Sequence, residues 1–515
     1  MCYCEECEKA FRRWLKRRYG RIDRLNRIWG TSVWSQGFND WHEIPAPRRT
    51  VCEPHPSLKL DYSRFMSAQY RNFVEEQKEI ICDYVGDDAR ITVNEPSGVD
   101  LEHVDMFSLC NQQNTVSLDN YPADKMRLDD TALGLDLARS LKHKKFWITE
   151  QQAGAMLVSG HTQQPRPGQL RLWTYQAAVR GAELISYFRW RTARTGQDMH
   201  WYGLLDSDGT PRRRLDEIKS AISEIQAHSE LFDSCTLDTD VAIVIDHDSA
   251  WAYEATPFGW DGDYWDAVQQ SYSVFRRAGI PVEFIQKEEN FAPYKLIVVP
   301  MQFIATPALA KKLKVFAHDG GTVVLSAPAG YKTPRGTNVE SPPPGPLTEL
   351  LGVEVTEHDA YGEHLEVLWS PLQDKSQKYE AAGLCSVLQL RGAESLATYN
   401  NQYYVNTPAV TKAEVGRGVV LYSGVAMRQA GWDWFLNEAV DRAGLKTCDW
   451  AGEDVEVVPL RSEEGGADRL CVLNHGGEDI ELPLPNNESV TDILGQQRFS
   501  ESLIIPAYDL VILEM

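Results

Sequence analysis

Four short runs, Val241–Asp246, Leu296–Pro300, Thr322–Ser326 and Val419–Ser423, are apolar at nearly every position and rich in β-branched residues. A strand with one wet face alternates. A strand without alternation is covered on both faces, the signature of a mostly parallel sheet with helices above and below it. Helical periodicity over Trp265–Ala278 and Pro307–His318 supplies those layers. The middle of the chain is therefore expected to be an α/β domain. No G-x-G-x-x-G opens a helix after any of these strands, and Gly416-Arg-Gly418 precedes its strand, so no nucleotide is assigned to it.

Before residue 236 the same alternation recurs, but the strands end on polar residues. Helical spacing over Leu58–Tyr84, Asp129–Leu141 and Leu170–Arg180 is interleaved with strand-like stretches at Ala89–Asn94, Val116–Pro122, Lys144–Gln152 and Ala182–Arg191. That is the repeat of a parallel barrel or a doubly wound sheet, with about half the strands a closed barrel needs. In such sheets catalytic side chains gather at the C-terminal strand ends, where loops converge on one crevice. Lys144-Lys-Phe-Trp-Ile-Thr-Glu-Gln-Gln-Ala-Gly154 stops its run of strand formers on Glu150. Neighbouring strands end at Tyr121 and at Arg189, Trp190 and Arg191, so three strand ends converge on a polar pocket walled by rings. The plain alternative is that Glu150 caps the next helix.

Cys2-x-Cys4-x-x-Cys7 brings three thiols into one turn of chain, the spacing of a zinc site; Zn²⁺ takes four ligands and no further Cys or His follows nearby, so either the fourth lies upstream of Met1 or the site is vestigial. Phe11, Trp14, Leu15, Ile22, Leu25, Ile28 and Trp29 recur at helical spacing, broken near Gly20, with eight Arg and Lys residues from Arg12 to Arg27 on the other face. A net charge of −22 would repel nucleic acid, so these cations read as a solvated helix face. Trp34, Phe38 and Trp41 are either core rings or one wall of a sugar site. No run of roughly 18 apolar residues is present, and Met1–Cys7 lacks a basic-then-apolar leader, so no membrane partner is expected. The ten cysteines, mostly scattered, suit reduced thiols. A cytoplasmic protein with a neutral small-molecule ligand is the expectation. Residues 449–515 carry short strands (Glu453–Pro459, Leu470–Asn474, Ile480–Leu484, Leu503–Pro506, Leu510–Leu513) between Gly, Asn and Pro turns, expected to form a small antiparallel β-sandwich.

Taken in order, Cys-Tyr-Cys-x-x-Cys, Phe-Arg-Arg-Trp-Leu, Leu-Asn-Arg-Ile-Trp-Gly-Thr, Trp-Ser-Gln, Phe-Trp-Ile-Thr-Glu-Gln-Gln-Ala-Gly, Tyr-Phe-Arg-Trp-Arg, Gly-Leu-Leu-Asp, Asn406-Thr-Pro-Ala-Val-Thr411 and Pro506-Ala-Tyr-Asp-Leu-Val511 resemble the bacterial β-galactosidases of glycoside hydrolase family 42. The resemblance implies the C-terminal part of a TIM (β/α)₈ barrel over 1–235, a flavodoxin-like trimerisation domain over 236–448 and a small β-sandwich over 449–515. It implies a homotrimer, a structural Zn²⁺ at Cys2, Cys4 and Cys7, and a retaining double displacement that removes terminal β-D-galactosyl residues from β-galactosides or oligosaccharides. Glu150 takes the nucleophile's position and Tyr121 that of a tyrosine donating to it. Arg189 and Arg191 would fix the electrostatics.

Other positions depart from the family pattern. Asp198 stands where a Glu is usual, one methylene shorter, and Val158 where a Trp stacks on the sugar. His200 and Trp201 supply rings nearby, for compensation or for packing the loop. Arabinopyranosides and other β-glycosides therefore stay open as substrates. The family's acid/base precedes the cysteine cluster by a few residues, so here it is expected upstream of Met1, with the fourth zinc ligand and the first four strands. Asn94-Glu95-Pro96 imitates the acid/base motif. The interval from Glu95 to Glu150, however, holds two βα units of roughly 30 residues, one fewer than strand four to strand seven requires. The alternative function is a non-catalytic remnant acting as a sugar-binding or oligomerisation module.

Overall fold

A computed structural model describes the chain apart from residues 87, 96–101, 123–127, 159–160, 258, 260–261, 362–364, 463–467, 485–488 and 515 and the side chains of 158, 161 and 162. Pro96 and the Val158 side chain, both singled out above, thus lie outside the described residues. The chain opens on α1 (Glu5–Tyr19) and α2 (Ile22–Trp29), parted at Gly20 with φ 75°. Phe11, Leu15, Tyr19, Leu25 and Trp29 are buried with Leu58, Tyr62 and Phe65 of α3 (Pro56–Val85). Tyr19 and Trp29 both donate to the buried Asp61 of α3, at 2.5 and 3.3 Å. Several of the basic side chains meet acids within this layer, Arg12 on Glu8, Arg18 on Asp61 and Arg21 on Asp23. Phe38 and Trp41 pack on the same core, whereas Trp34 is 82% exposed.

Four strands follow: β1 (Asn94–Glu95), β2 (Ser117–Asn120), β3 (Phe146–Gln152) and, after the hairpin of β4 (Met156–Val158) and β5 (His161–Gln163), β6 (Ala182–Phe188). They pair in parallel in the order β1-β2-β3-β6. The crossovers carry α4 (Met106–Cys110), α5 (Leu128–Ser140) and α6 (Gln169–Ala178). Leu118, Phe146 and Ile148 join the core that α5 shares with the central region. Strand interiors are thus fixed by packing, and the strand ends are left for chemistry.

In the central region the four apolar runs form adjacent parallel strands, with Val241–Ile245, Leu296–Val299 and Thr322–Ser326 buried throughout. With Val282–Gln286 on the outer edge, the five parallel strands take the 2-1-3-4-5 order of flavodoxin-like folds. Beyond Gly418–Ser423 the sheet continues, unforeseen by the sequence reading, into the antiparallel strands Pro408–Val415, Glu394–Tyr399, Leu368–Pro371, Tyr379–Leu390 and Val353–Ala360.

The C-terminal region is a six-stranded antiparallel sheet that borrows Cys235–Thr236 for its edge. One face carries the paired strands Ile480–Pro483 and Ser502–Ile505; the other packs on Leu172, Tyr175 and Val179 at α6. A buried ionic cluster joins all three regions. Arg180, beside α6, pairs with Glu456 of the C-terminal sheet and lies 3.4 Å from Asp136 of α5. Tyr272 of the central region donates to Asp136 at 2.6 Å, while Gln176 and His475 contact Glu456 at 2.8 and 3.0 Å. Among the described residues no helix is long and apolar enough to cross a membrane.

Candidate active site

Side chains alternate along a strand, so which residues face the site is a question of register. Between β2 and β3 the register shifts: Leu118 pairs with Ile148, but Asp119 pairs with Glu150, skipping Thr149. The extra residue turns Glu150 to the face already occupied by Asn94, Ser117 and Asp119. Leu118, Ile148 and Glu95 take the opposite face, toward the helices. Glu95 is buried there, accepts from Gln113 at 2.8 Å and has its carboxyl pushed up to about 7 by burial.

On the open face Glu150 is half-buried, with one oxygen held and a polar group beside the other. The Tyr121 hydroxyl, one residue past β2, donates to Oε2 at 2.5 Å, and Asn94 Nδ2 stands 3.5 Å from Oε1. The same amide reaches Asp119 Oδ2 at 3.0 Å. Burial, then the bond to Glu150, pushes the Tyr121 hydroxyl above its ordinary range, so it remains a donor at any working pH. Burial and the neighbouring Glu150 charge push the Asp119 carboxyl up to about 6.

Three rings wall this face. Tyr121 and Trp201 meet edge to face with centroids 4.9 Å apart, and Phe188 lies 6.2 Å from Trp201 and 6.5 Å from Tyr121. Arg189 donates to Asp198 Oδ2 at 2.8 Å, and its guanidinium lies 4.4 Å from the Phe188 ring centroid. The loop carrying Asp198 and Trp201 rests directly on backbone: Tyr202 N–H donates to Ala155 O and Leu204 N–H to Arg189 O, both at 2.8 Å. A Cβ on Gly154 would stand 2.6 Å from the Tyr202 carbonyl oxygen, and one on Gly203 would collide with that of Arg189. Glycine is required at both positions for the loop to close this tightly.

Of the residues singled out in the sequence, Glu150, Tyr121, Arg189, Asp198 and Trp201 come together. Arg191 donates to the Ser207 carbonyl at 3.0 and 2.6 Å and so braces its own loop. His200 is exposed in the short turn Gln197–His200. Asn94, quoted above only as part of an imitated motif, and Asp119 were not foreseen as neighbours of Glu150, since only the register shift turns Glu150 to their face.

At the N-terminus the sulfurs of Cys2, Cys4 and Cys7 lie within 4.8 Å of one another, and the described residues offer no fourth Cys, His, Asp or Glu within that distance. The Cys7 backbone N–H draws the Cys4 thiol down to about 7, toward the thiolate a metal binds. Tyr62 anchors the segment by donating to the Cys2 carbonyl at 2.6 Å.

Comparison with known proteins finds three family matches in order: glycoside hydrolase 42 β-galactosidase over residues 1–228, β-galactosidase trimerisation domain over 239–446 and β-galactosidase C-terminal domain over 454–515. β-Galactosidase BgaH of Haloferax lucentense is 30% identical, in a match covering 100% of this chain and 76% of that protein. β-Galactosidase Bga of Halorubrum lacusprofundi is 31% identical over 95% of this chain and 72% of its own. The crystal structure of a β-galactosidase from Bacillus circulans sp. alkalophilus superposes with a TM-score of 0.93 at 27% identity, covering 100% of this chain and 77% of that one. With its three parts matched in sequence order over nearly its whole length, the chain belongs to glycoside hydrolase family 42, the β-galactosidases.

Proposed function

We propose that the protein is a retaining β-galactosidase in which Glu150 is the nucleophile. The observation that carries this reading is a half-exposed carboxylate at the C-terminal end of a parallel strand, held by the Tyr121 hydroxyl at 2.5 Å. A Glu150 oxygen bonds to the anomeric carbon as that carbon's bond to the leaving oxygen breaks, the leaving group taking the electron pair; water then cleaves the glycosyl ester. Tyr121 holds the attacking carboxylate in place. The rings of Tyr121, Phe188 and Trp201 offer an apolar wall to the C–H face of a pyranose, and the Arg189–Asp198 pair braces that wall. The choice of galactosides rests on the relatives, which are β-galactosidases by name.

In this reading β1, β2, β3 and β6 are the consecutive later strands of a (β/α)₈ barrel. Glu95 is not the partner acid, because it lies on the helix face of β1. Cys2, Cys4 and Cys7 would hold a structural Zn²⁺ with one further ligand. The match of 239–446 to a trimerisation domain supports a homotrimer, and the free cysteines suit the cytoplasm.

The test is labelling by 2,4-dinitrophenyl 2-deoxy-2-fluoro-β-D-galactopyranoside, whose leaving group departs without a proton donor. The expected result is a fluorogalactosyl mass increment on the peptide containing Glu150, absent in Glu150→Gln. A folded protein that acquires no adduct would overturn the assignment.

A further inference from the structure

On the sheet face that presents Glu150, Asn94 and Asp119 have no part in the steps above. Their geometry is specific. One amide straddles two carboxylates from different strands, 3.0 Å from Asp119 Oδ2 and 3.5 Å from Glu150 Oε1. Thr149 Oγ1 stands 3.5 Å from the other Asp119 oxygen. The juxtaposition is built by the β2–β3 register shift; in unbroken register Thr149 would pair with Asp119, and Glu150 would face the helices. The bulge that exposes the nucleophile therefore also seats a second acid beside it.

Resting on the assignment of Glu150 as nucleophile, we propose that Asp119 is a positioning residue for it: Asp119 fixes the Asn94 amide across Glu150 Oε1 and, when ionised, drives the carboxylate onto the anomeric carbon.

The titratable groups on the face of Asp119 are Glu150 from β3 and Tyr121 at the end of β2; Glu95, on the helix face of β1, feels the Asp119 charge only from the other side of the sheet. Burial resists ionisation of Asp119, and the adjacent Glu150 charge adds to that resistance, so Asp119 gives up its proton to solvent only near pH 6. Once it has, Glu150 carries its charge against a like neighbour. Bonding to the sugar neutralises Glu150 and relieves that repulsion, while the remaining Asp119 charge opposes the positive charge building on the ring. Protonated Asp119 supplies neither effect.

Formation of the fluorogalactosyl adduct with the activated reagent isolates the bond-forming step. In the wild type the labelling rate should rise several-fold between pH 5 and pH 7 around a midpoint of about 6. Asp119→Asn should label at the low-pH rate throughout, and Asp119→Glu should regain the rise. A loss in Asp119→Asn that runs parallel to the wild-type profile at every pH would make the residue merely structural and overturn the proposal. A second measurement needs no reaction: ¹³C NMR titration of the Asp119 carboxyl, expected to move to lower pH in Glu150→Gln, where the neighbouring charge is gone. An unchanged midpoint overturns the coupling. Absence of any adduct would instead defeat the nucleophile assignment, and the titration would still decide whether the two acids interact.

Discussion

Replacing Tyr121 by Phe removes a single oxygen. The ring keeps its edge contacts, 4.9 Å to Trp201 and 6.5 Å to Phe188, so the change isolates the hydroxyl. That hydroxyl donates to a half-buried carboxylate at 2.5 Å, the short charge-assisted class worth roughly 1.5–3 kcal/mol. Asn94, at 3.5 Å from the other oxygen, is too distant to replace it. If the whole bond served the transition state, labelling of Glu150 would slow by about 10- to 150-fold. Part of the bond is spent stabilising a charge that disappears as the sugar bonds, so the expected loss lies at the lower end, about tenfold. The assay is the rate constant for adduct formation by the 2-fluoro reagent, with thermal melting to show the fold intact. Tyr121→Ala, which also removes the ring, should lose more. A Phe variant that labels as fast as the wild type would refute the idea that Tyr121 holds the nucleophile.

Glu95→Gln should leave labelling unchanged, since that carboxyl faces the helices; a loss of turnover restored by azide would make it the acid/base instead. Because burial raises the Glu95 carboxyl to about 7, its proton supports folding below its unfolded value and that support is lost as pH rises through 7, so the melting temperature of Glu95→Gln relative to wild type should climb from about pH 4.3 to 7. Burial alone would raise the Glu456 carboxyl, but Arg180 and His475 hold it well below the usual range. Glu456→Gln leaves the buried Arg180 with Asp136 as its one remaining acid among the described residues and should cost up to about 3–5 kcal/mol in urea denaturation at neutral pH. The deficit should shrink in acid, where the wild type forfeits the same stability as pH falls toward the depressed value; a pH-independent deficit would refute the account. Elemental analysis should find one bound zinc per chain that Cys4→Ser lacks, and a chelator should lower the wild-type melting temperature; metal-free protein indifferent to chelator would sink the site.

How much of this was legible beforehand depends on the length scale of each signal. Val241–Ile245 and Thr322–Ser326 announce a doubly covered sheet within five residues, because burial on both faces leaves no alternation to disguise. The place of Glu150 near the C-terminal end of β3 was legible because the run of strand formers gives way there to polar residues. The antiparallel strands from Val353 to Val415 were not: Glu394–Tyr399 is only partly buried, and its partners are chosen by long-range pairing that no local window contains. Asp119 was hidden for a related reason. A single-residue bulge decides which face Glu150 takes, and nothing around Thr149 marks it. The contact of Arg191 with the Ser207 carbonyl was not legible either, since the resemblance that named Arg191 says nothing of how a long side chain folds along its own loop.

The site is thus held by two independent devices. Strand register presents Glu150, Asp119 and Asn94, and register is enforced by Leu118 and Ile148 in the core behind them. The aromatic wall belongs instead to a loop held by backbone contact, through glycines at 154 and 203 that admit no side chain. Asp198 and Trp201, the former a departure from the usual family pattern, both sit on that loop, and Asp198 spends its carboxylate on Arg189. Changes there would re-aim the aromatic wall without shifting β2 against β3. If Glu150 is the nucleophile as proposed, substrate preference can drift with that loop while Glu150 and its neighbours stay fixed, so its assignment does not depend on which β-glycoside the wall fits best.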